Sequence, residues 1–131
     1  MNKIARQFIP ILTEESKKQK PLIPLESVKQ LLAYGSVNKT WLKEIIKRAS
    51  IIADREGILY FGVYGNYIYF KQPLVNMLKE KLKDRREADI SEIAEEIEVK
   101  PKLLKNIYIK LEMEKILGPV RISKNRIIYY C

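Results

Sequence analysis

Histidine is absent from the 131 residues, and cysteine occurs once, at Cys131. Without histidine there is no His-based catalytic triad and no histidine metal ligand. A single thiol builds neither a thiolate metal site nor an intrachain disulfide framework, which fits a reducing compartment. The five glycines (Gly35, Gly57, Gly62, Gly65 and Gly118) fall at predicted breaks or in hairpins and form no phosphate-cradling motif. No apolar run approaches the ~18 residues of a membrane span. The N-terminal stretch carries a charge at Lys3 and lacks a long apolar segment and a small-residue cleavage site. The acidic run Asp89, Glu92, Glu95, Glu96, Glu98 lacks the alternation and the glycine of a calcium loop, and reads as the solvated face of a helix. These absences predict a cytoplasmic protein that is not an enzyme, uses no cofactor or metal, and does not enter a membrane.

What is present is positive charge. The net charge is +9, with 12 basic and 6 acidic residues before Pro73 and 13 basic and 10 acidic from there on. Such a balance favours a polyanionic partner. Ile, Lys, Glu and Tyr are abundant and Gln is scarce. Hyperthermophile proteins share that bias, as do products of AT-rich genomes.

One pattern occurs twice. Residues 25–70 read helix, tight turn, helix, β-hairpin, and residues 90–130 read the same. The first copy has a short helix over 25–34, a break at Gly35-Ser36-Val37-Asn38, a longer helix over 39–55 and a hairpin folding at Gly65-Asn66. The second has a short helix over 91–97, a break at Glu98-Val99-Lys100, a longer helix over 101–115 and a hairpin folding at Lys124-Asn125. Val37 aligns with Val99, Leu42 with Leu104, Ile45 with Ile107 and Ala49 with Leu111 at one offset. Val28 aligns with Ile93 at an offset three residues longer. Apolar residues at i, i+3 and i+7 mark the buried stripe of an amphipathic helix.

The flanking segments complete each copy. Residues 3–20 read as an opening helix with Ile4, Phe8, Ile11 and Leu12 inward, and Pro10 either kinks it or marks its start. Leu22-Ile23-Pro24 forms a short extended piece. Asn38 is a good N-cap, Gly57 ends the longer helix, and strands are expected over 58–64 and 67–70. Lys71-Gln72-Pro73 separates the halves. A helix over 74–86 follows, with Leu74, Val75, Leu78 and Leu82 inward. Asp89 or Ser91 caps the next short helix, and Pro101 suits a first helical turn. Strands are expected over 120–123 and 126–130. The division is 1–72 and 73–131, and the class is α+β.

This order of elements resembles the winged helix–turn–helix superfamily, twice over, across nearly the whole chain. The stretch from Ile90-Ser91-Glu92-Ile93-Ala94-Glu95-Glu96-Ile97 to Leu117 is most similar to small archaeal and bacterial transcription regulators of that class. The resemblance implies tandem winged-helix units, each of three helices plus a hairpin wing. It implies a double-stranded DNA partner in transcription regulation, replication or genome maintenance, in an archaeon or its virus or plasmid. Tandem winged helices also occur in assemblies that bind only protein, so a protein–protein assembly subunit is the alternative.

The resemblance also places a site. In such proteins the third helix of a unit enters the major groove and its N-terminal residues meet base edges. Those positions are Asn38, Lys39, Thr40, Lys43 and Lys47 in the first unit, and Lys100, Lys102, Lys105 and Asn106 in the second. Arg121, Lys124 and Arg126 suit a wing lying along the backbone. The first wing departs from the pattern: residues 62–67 contain no Lys or Arg, and the hairpin is lined by Tyr60, Phe61, Tyr64, Tyr67 and Tyr69. Tyr64 and Tyr67 there suit a protein partner or a second copy, with stacking on unpaired bases as the other option. Trp41, beside the buried stripe, is expected to pack between units. Glu92, Glu95 and Glu96 would repel phosphate, which makes the first unit the better reader.

Overall fold

In the computed structural model, which describes residues 2–18, 21–31, 38–83, 85–115 and 120–129, three helices and three strands recur twice in the same order. The first set is α1 (Asn2–Ser16), β1 (Leu22–Pro24), α2 (Leu25–Leu31), α3 (Lys39–Arg55), β2 (Phe61–Tyr64) and β3 (Tyr67–Phe70). The second is α4 (Lys71–Leu82), β4 (Glu87–Asp89), α5 (Ile90–Glu96), α6 (Pro101–Met113), β5 (Val120–Ser123) and β6 (Arg126–Tyr129). The protein is thus α+β, with two compact units, Met1–Lys71 and Gln72–Cys131. Each contains an antiparallel three-stranded sheet, ordered β1-β3-β2 in one and β4-β6-β5 in the other. Among the described residues no helix is long and apolar enough to cross a membrane.

Period-two alternation builds the sheet of the first unit. Ile23, Ile68 and Val63 lie in one row across β1, β3 and β2 and face the core with Phe61 and Phe70. Helical periodicity supplies the opposing surface: Ala5, Phe8 and Leu12 of α1, Leu25 and Val28 of α2, and Leu42, Ile45, Ile46, Ala49 and Ala53 of α3. Trp41 packs partly buried against this same core, within its own unit. Pro10 lies inside α1 and does not mark its start.

The opposite sheet face carries the row Leu22, Tyr69, Gly62. Tyr69 is buried, and its ring lies where a side chain on Gly62 would stand. Gly65, with φ of 59°, makes the two-residue turn of this hairpin.

The second unit repeats the plan with other residues. Leu74, Val75 and Leu78 of α4 are buried with Ile90, Ile93 and Ala94 of α5 and Leu104, Ile107, Tyr108 and Leu111 of α6. The Tyr108 hydroxyl donates to the Leu74 carbonyl at 3.0 Å, and burial pushes its phenol pKa up. Lys124 at the hairpin tip and Lys115 after α6 hold φ of 56° and 60°, the left-handed conformation of Gly65 and Gly57 in the first unit.

Several boundaries differ from expectation. Lys71-Gln72-Pro73 holds the boundary between the two units, but as helix: these residues form the first turn of α4, where a proline's missing N–H costs no helical bond. That helix ends at Leu82, and β4 follows, paired with β6. Strand β2 starts at Phe61, after the exposed Ile58 and Tyr60. The Asp89 carboxylate accepts from the Ser91 N–H at 2.9 Å, which makes Asp89 the cap. Gly35, Val37, Gly118 and Cys131 lie outside the described residues.

Two substitutions probe this packing. Gly62→Ala drives a methyl group into the Tyr69 ring and is expected to cost about 1–3 kcal/mol, measured by chemical denaturation. Lys115→Gly relieves a left-handed lysine and is expected to stabilise by about 1 kcal/mol in the same assay.

Candidate nucleic-acid interface

Helix α3 sorts its side chains sharply. The stripe from Leu42 to Ala53 is buried, and spacing of four residues carries Lys39, Lys43 and Lys47 along one flank of it, turning steadily away from the core. Lys39, Thr40, Lys47 and Arg48 are exposed, and Lys43 is half-buried. Asn38 caps the helix: its Oδ1 accepts from the Thr40 N–H at 2.8 Å. Pairing with adenine requires both the carbonyl oxygen and the amide of an asparagine. With one of the two acceptor positions of Oδ1 so engaged and its orientation fixed by the cap, Asn38 is constrained in how it can meet a base. Glu44 also lies on the exposed side, and Lys47 Nζ approaches it at 3.9 Å. Both groups are well solvated, so this pair holds the lysine weakly.

Helix α6 differs in character. Lys100 occupies the N-cap position without a side-chain cap bond, and Pro101 opens the first turn. Lys102 is exposed, whereas Lys105 and Asn106 are half-buried. Asn106, unlike Asn38, caps nothing. On this helix Lys102, Asn106, Ile109 and Met113 follow i, i+4, i+7, i+11 spacing on the side away from the core, and Met113 is 78% exposed. By the repeat, Ile109 stands where α3 has Lys47, and Met113 where α3 has the exposed Ile51. This apolar outer row was not anticipated, although the periodicity that gave the buried stripe contains it.

The second hairpin carries Arg121, Lys124 and Arg126, all exposed. Arg126 is engaged by Glu87, Nη1 to Oε2, at 2.9 Å. The pair forms because β4 lies beside β6, with Asp89 opposite Arg126 and Glu87 opposite Ile128. A cleft of about 690 Å³ adjoins it, lined by Lys81, Arg85, Arg86 and Arg126 and by Glu80, Glu87, Asp89 and Glu92. Equal numbers of each sign line this cleft, so it is no anion trap. Lys81 donates to Glu96, and that bond, against some desolvation, raises the lysine pKa. Glu92, Glu95 and Glu96 of α5 are exposed, as the expected phosphate repulsion requires.

The first hairpin places Tyr64 and Tyr67 directly opposite each other, both half-buried, as a cross-strand aromatic pair. Among the described residues no group of three or more acidic or cysteine side chains is placed to hold a metal ion. The structure therefore gathers Asn38, Lys39, Thr40, Lys43 and Lys47 on one helix. In the second unit the basic positions are divided between the start of α6 and the β5–β6 hairpin. Compared with known protein families and with curated proteins, the chain matches no family model and no curated sequence.

Proposed function

We propose that the chain is a double-stranded DNA-binding protein of two tandem winged-helix units, a transcription regulator or a replication or genome-maintenance factor. The observation that carries this reading is the outward face of α3. Lys39, Lys43 and Lys47 run along it and Arg48 flanks them, against the acids Glu44 and, two turns beyond Lys47, Asp54. This helix follows a short helix and precedes a hairpin, the order in which a helix is offered to the major groove. Attachment is electrostatic: each lysine that neutralises a phosphate releases condensed counterions. Thr40 and Lys39, in the first turn of α3, are the residues set to meet base edges. The second unit contributes Lys102, Lys105 and Asn106 with Lys124 of its hairpin, opposed by the acidic α5.

A second reading is an assembly subunit that contacts protein through the first hairpin. Its support is the uncharged hairpin itself and the exposure of Ile58 and Tyr60 just before it.

Fluorescence anisotropy with random-sequence duplex, over about 50–200 mM salt, decides between them. Binding that weakens steeply with salt is expected. Lys43→Glu/Lys47→Glu should lower affinity at least about tenfold and flatten the log–log salt slope by about 2. Lys102→Glu/Lys105→Glu should do less. Absence of duplex binding at low salt would exclude the DNA reading and leave the assembly reading.

A further inference from the structure

The buried residues Leu42, Ile45, Ile46, Ala49 and Ala53 fix the inward direction of α3. At about 3.6 residues per turn, the row opposite them is Thr40, Glu44, Lys47 and Ile51, at i, i+4, i+7 and i+11. All four are exposed, Ile51 at 57%. Cations flank this row on both sides, Lys39 and Lys43 on one and Arg48 and Arg55 on the other. Asp54 lies on the lysine side, near the far end of the helix.

A helix about 10–12 Å across fits a major groove about 12 Å wide. Its outermost row then meets base edges, and its two sides meet the phosphates of the two strands. Glu44 is out of place for attachment, because a carboxylate on that row repels the phosphates near it. Nor does it hold the fold. It pairs with Lys47 at 3.9 Å, and both side chains are more than half exposed, so the pair adds little stability. A carboxylate only accepts hydrogen bonds, so in the groove it needs a donor. Guanine and thymine present acceptors there, and the adenine amino group stands beside the N7 acceptor of its own base. The cytosine N4 amino group has no acceptor beside it on its base.

We propose that Glu44 is a specificity-determining residue of α3, selecting a C·G pair by accepting a hydrogen bond from cytosine N4. The proposal rests on the reading of α3 as the helix that enters the major groove, and it names what that helix reads. Attachment comes from the flanking cations, and Glu44 trades part of it for selectivity. The repeat holds another base-reading type of side chain at this place: Asn106 of α6 stands where α3 has Glu44. Asparagine pairs with adenine, so the two units differ in the base that this position suits.

Selection from a pool of random-sequence duplexes by the full chain, with sequencing of the bound fraction, tests it. The wild-type chain should enrich a motif with a C·G pair at one position, favoured about fivefold or more over the other pairs. Glu44→Gln should return the same motif with A·T at that position, because a glutamine amide pairs with adenine N6 and N7. Glu44→Ala should lose the preference at that position alone. Both variants should bind the unselected pool more tightly than the wild-type chain, since a charge that repels phosphate is gone. Circular dichroism melts establish that each variant is folded. Several results would overturn the proposal and leave the DNA reading standing. These are duplex binding without a motif, a motif that both variants leave unchanged, a Glu44-dependent position that is not C·G, or folded variants that lose affinity for all sequences alike. Absence of duplex binding by the wild-type chain would overturn both.

Discussion

Each unit depends on one backbone hydrogen bond between a hairpin tip and a helix start. The Leu25 N–H donates to the Asn66 carbonyl at 2.9 Å, and the Ile90 N–H donates to the Asn125 carbonyl at 2.7 Å. A helix begins with N–H groups that have no partner in the helix, and here the hairpin supplies one. The bond requires the short first strand to run straight into α2 or α5. It also requires the hairpin's return strand to lie beside that first strand. The central places of β3 and β6 follow, as does the need for a two-residue turn with positive φ at Gly65 and Lys124. With the sheet so tied to the short helix, the longer helix covers the sheet's apolar face, and its other side is left to solvent.

The long helices were legible because periodicity is a property of many residues at once. Leu42, Ile45, Ile46 and Ala49 are buried as their spacing required, and so are Leu104, Ile107, Tyr108 and Leu111. Strand β4 was not legible, because Glu87-Ala88-Asp89 offers one small apolar residue and no alternation; β6 selects it. The start of α4 was misplaced because proline reads as a breaker, yet in the first turn it breaks nothing. In the site, the exposure of Lys39 and Lys47 could be read from spacing. The capture of Arg126 by Glu87 could not, since it depends on a strand register between residues far apart in sequence. Nor could the engagement of the Asn38 Oδ1, which needs the cap geometry.

The two units share a plan and have diverged in surface. On α3 the outer side carries lysines with the acids Glu44 and Asp54, and on α6 Ile109 stands where α3 has Lys47. Both units commit cations to internal partners: Arg6 to Glu56 in the first, Lys81 to Glu96 and Arg126 to Glu87 in the second. These pairs lie on exposed surface, where they add little stability; their larger effect is to cancel the field a polyanion would feel. The hairpin strands β2 and β5 diverge in the opposite sense, β5 carrying Arg121 and β2 no charge. The repeated fold thereby carries two surfaces of different chemistry on one plan.

The Tyr69 ring and the absent side chain of Gly62 occupy one volume on the face of the first sheet opposite its core-facing row. Neither residue is free to vary alone: a larger residue at 62 has no room beside the ring, and a smaller one at 69 leaves a hole. Among descendants of this sequence the two positions should covary, a glycine surviving only where an aromatic ring crosses from the neighbouring strand. The second unit shows the other solution, with Arg121 facing Ile128 at the matching pair. The repeat thus holds, within one chain, two alternative fillings of the same site.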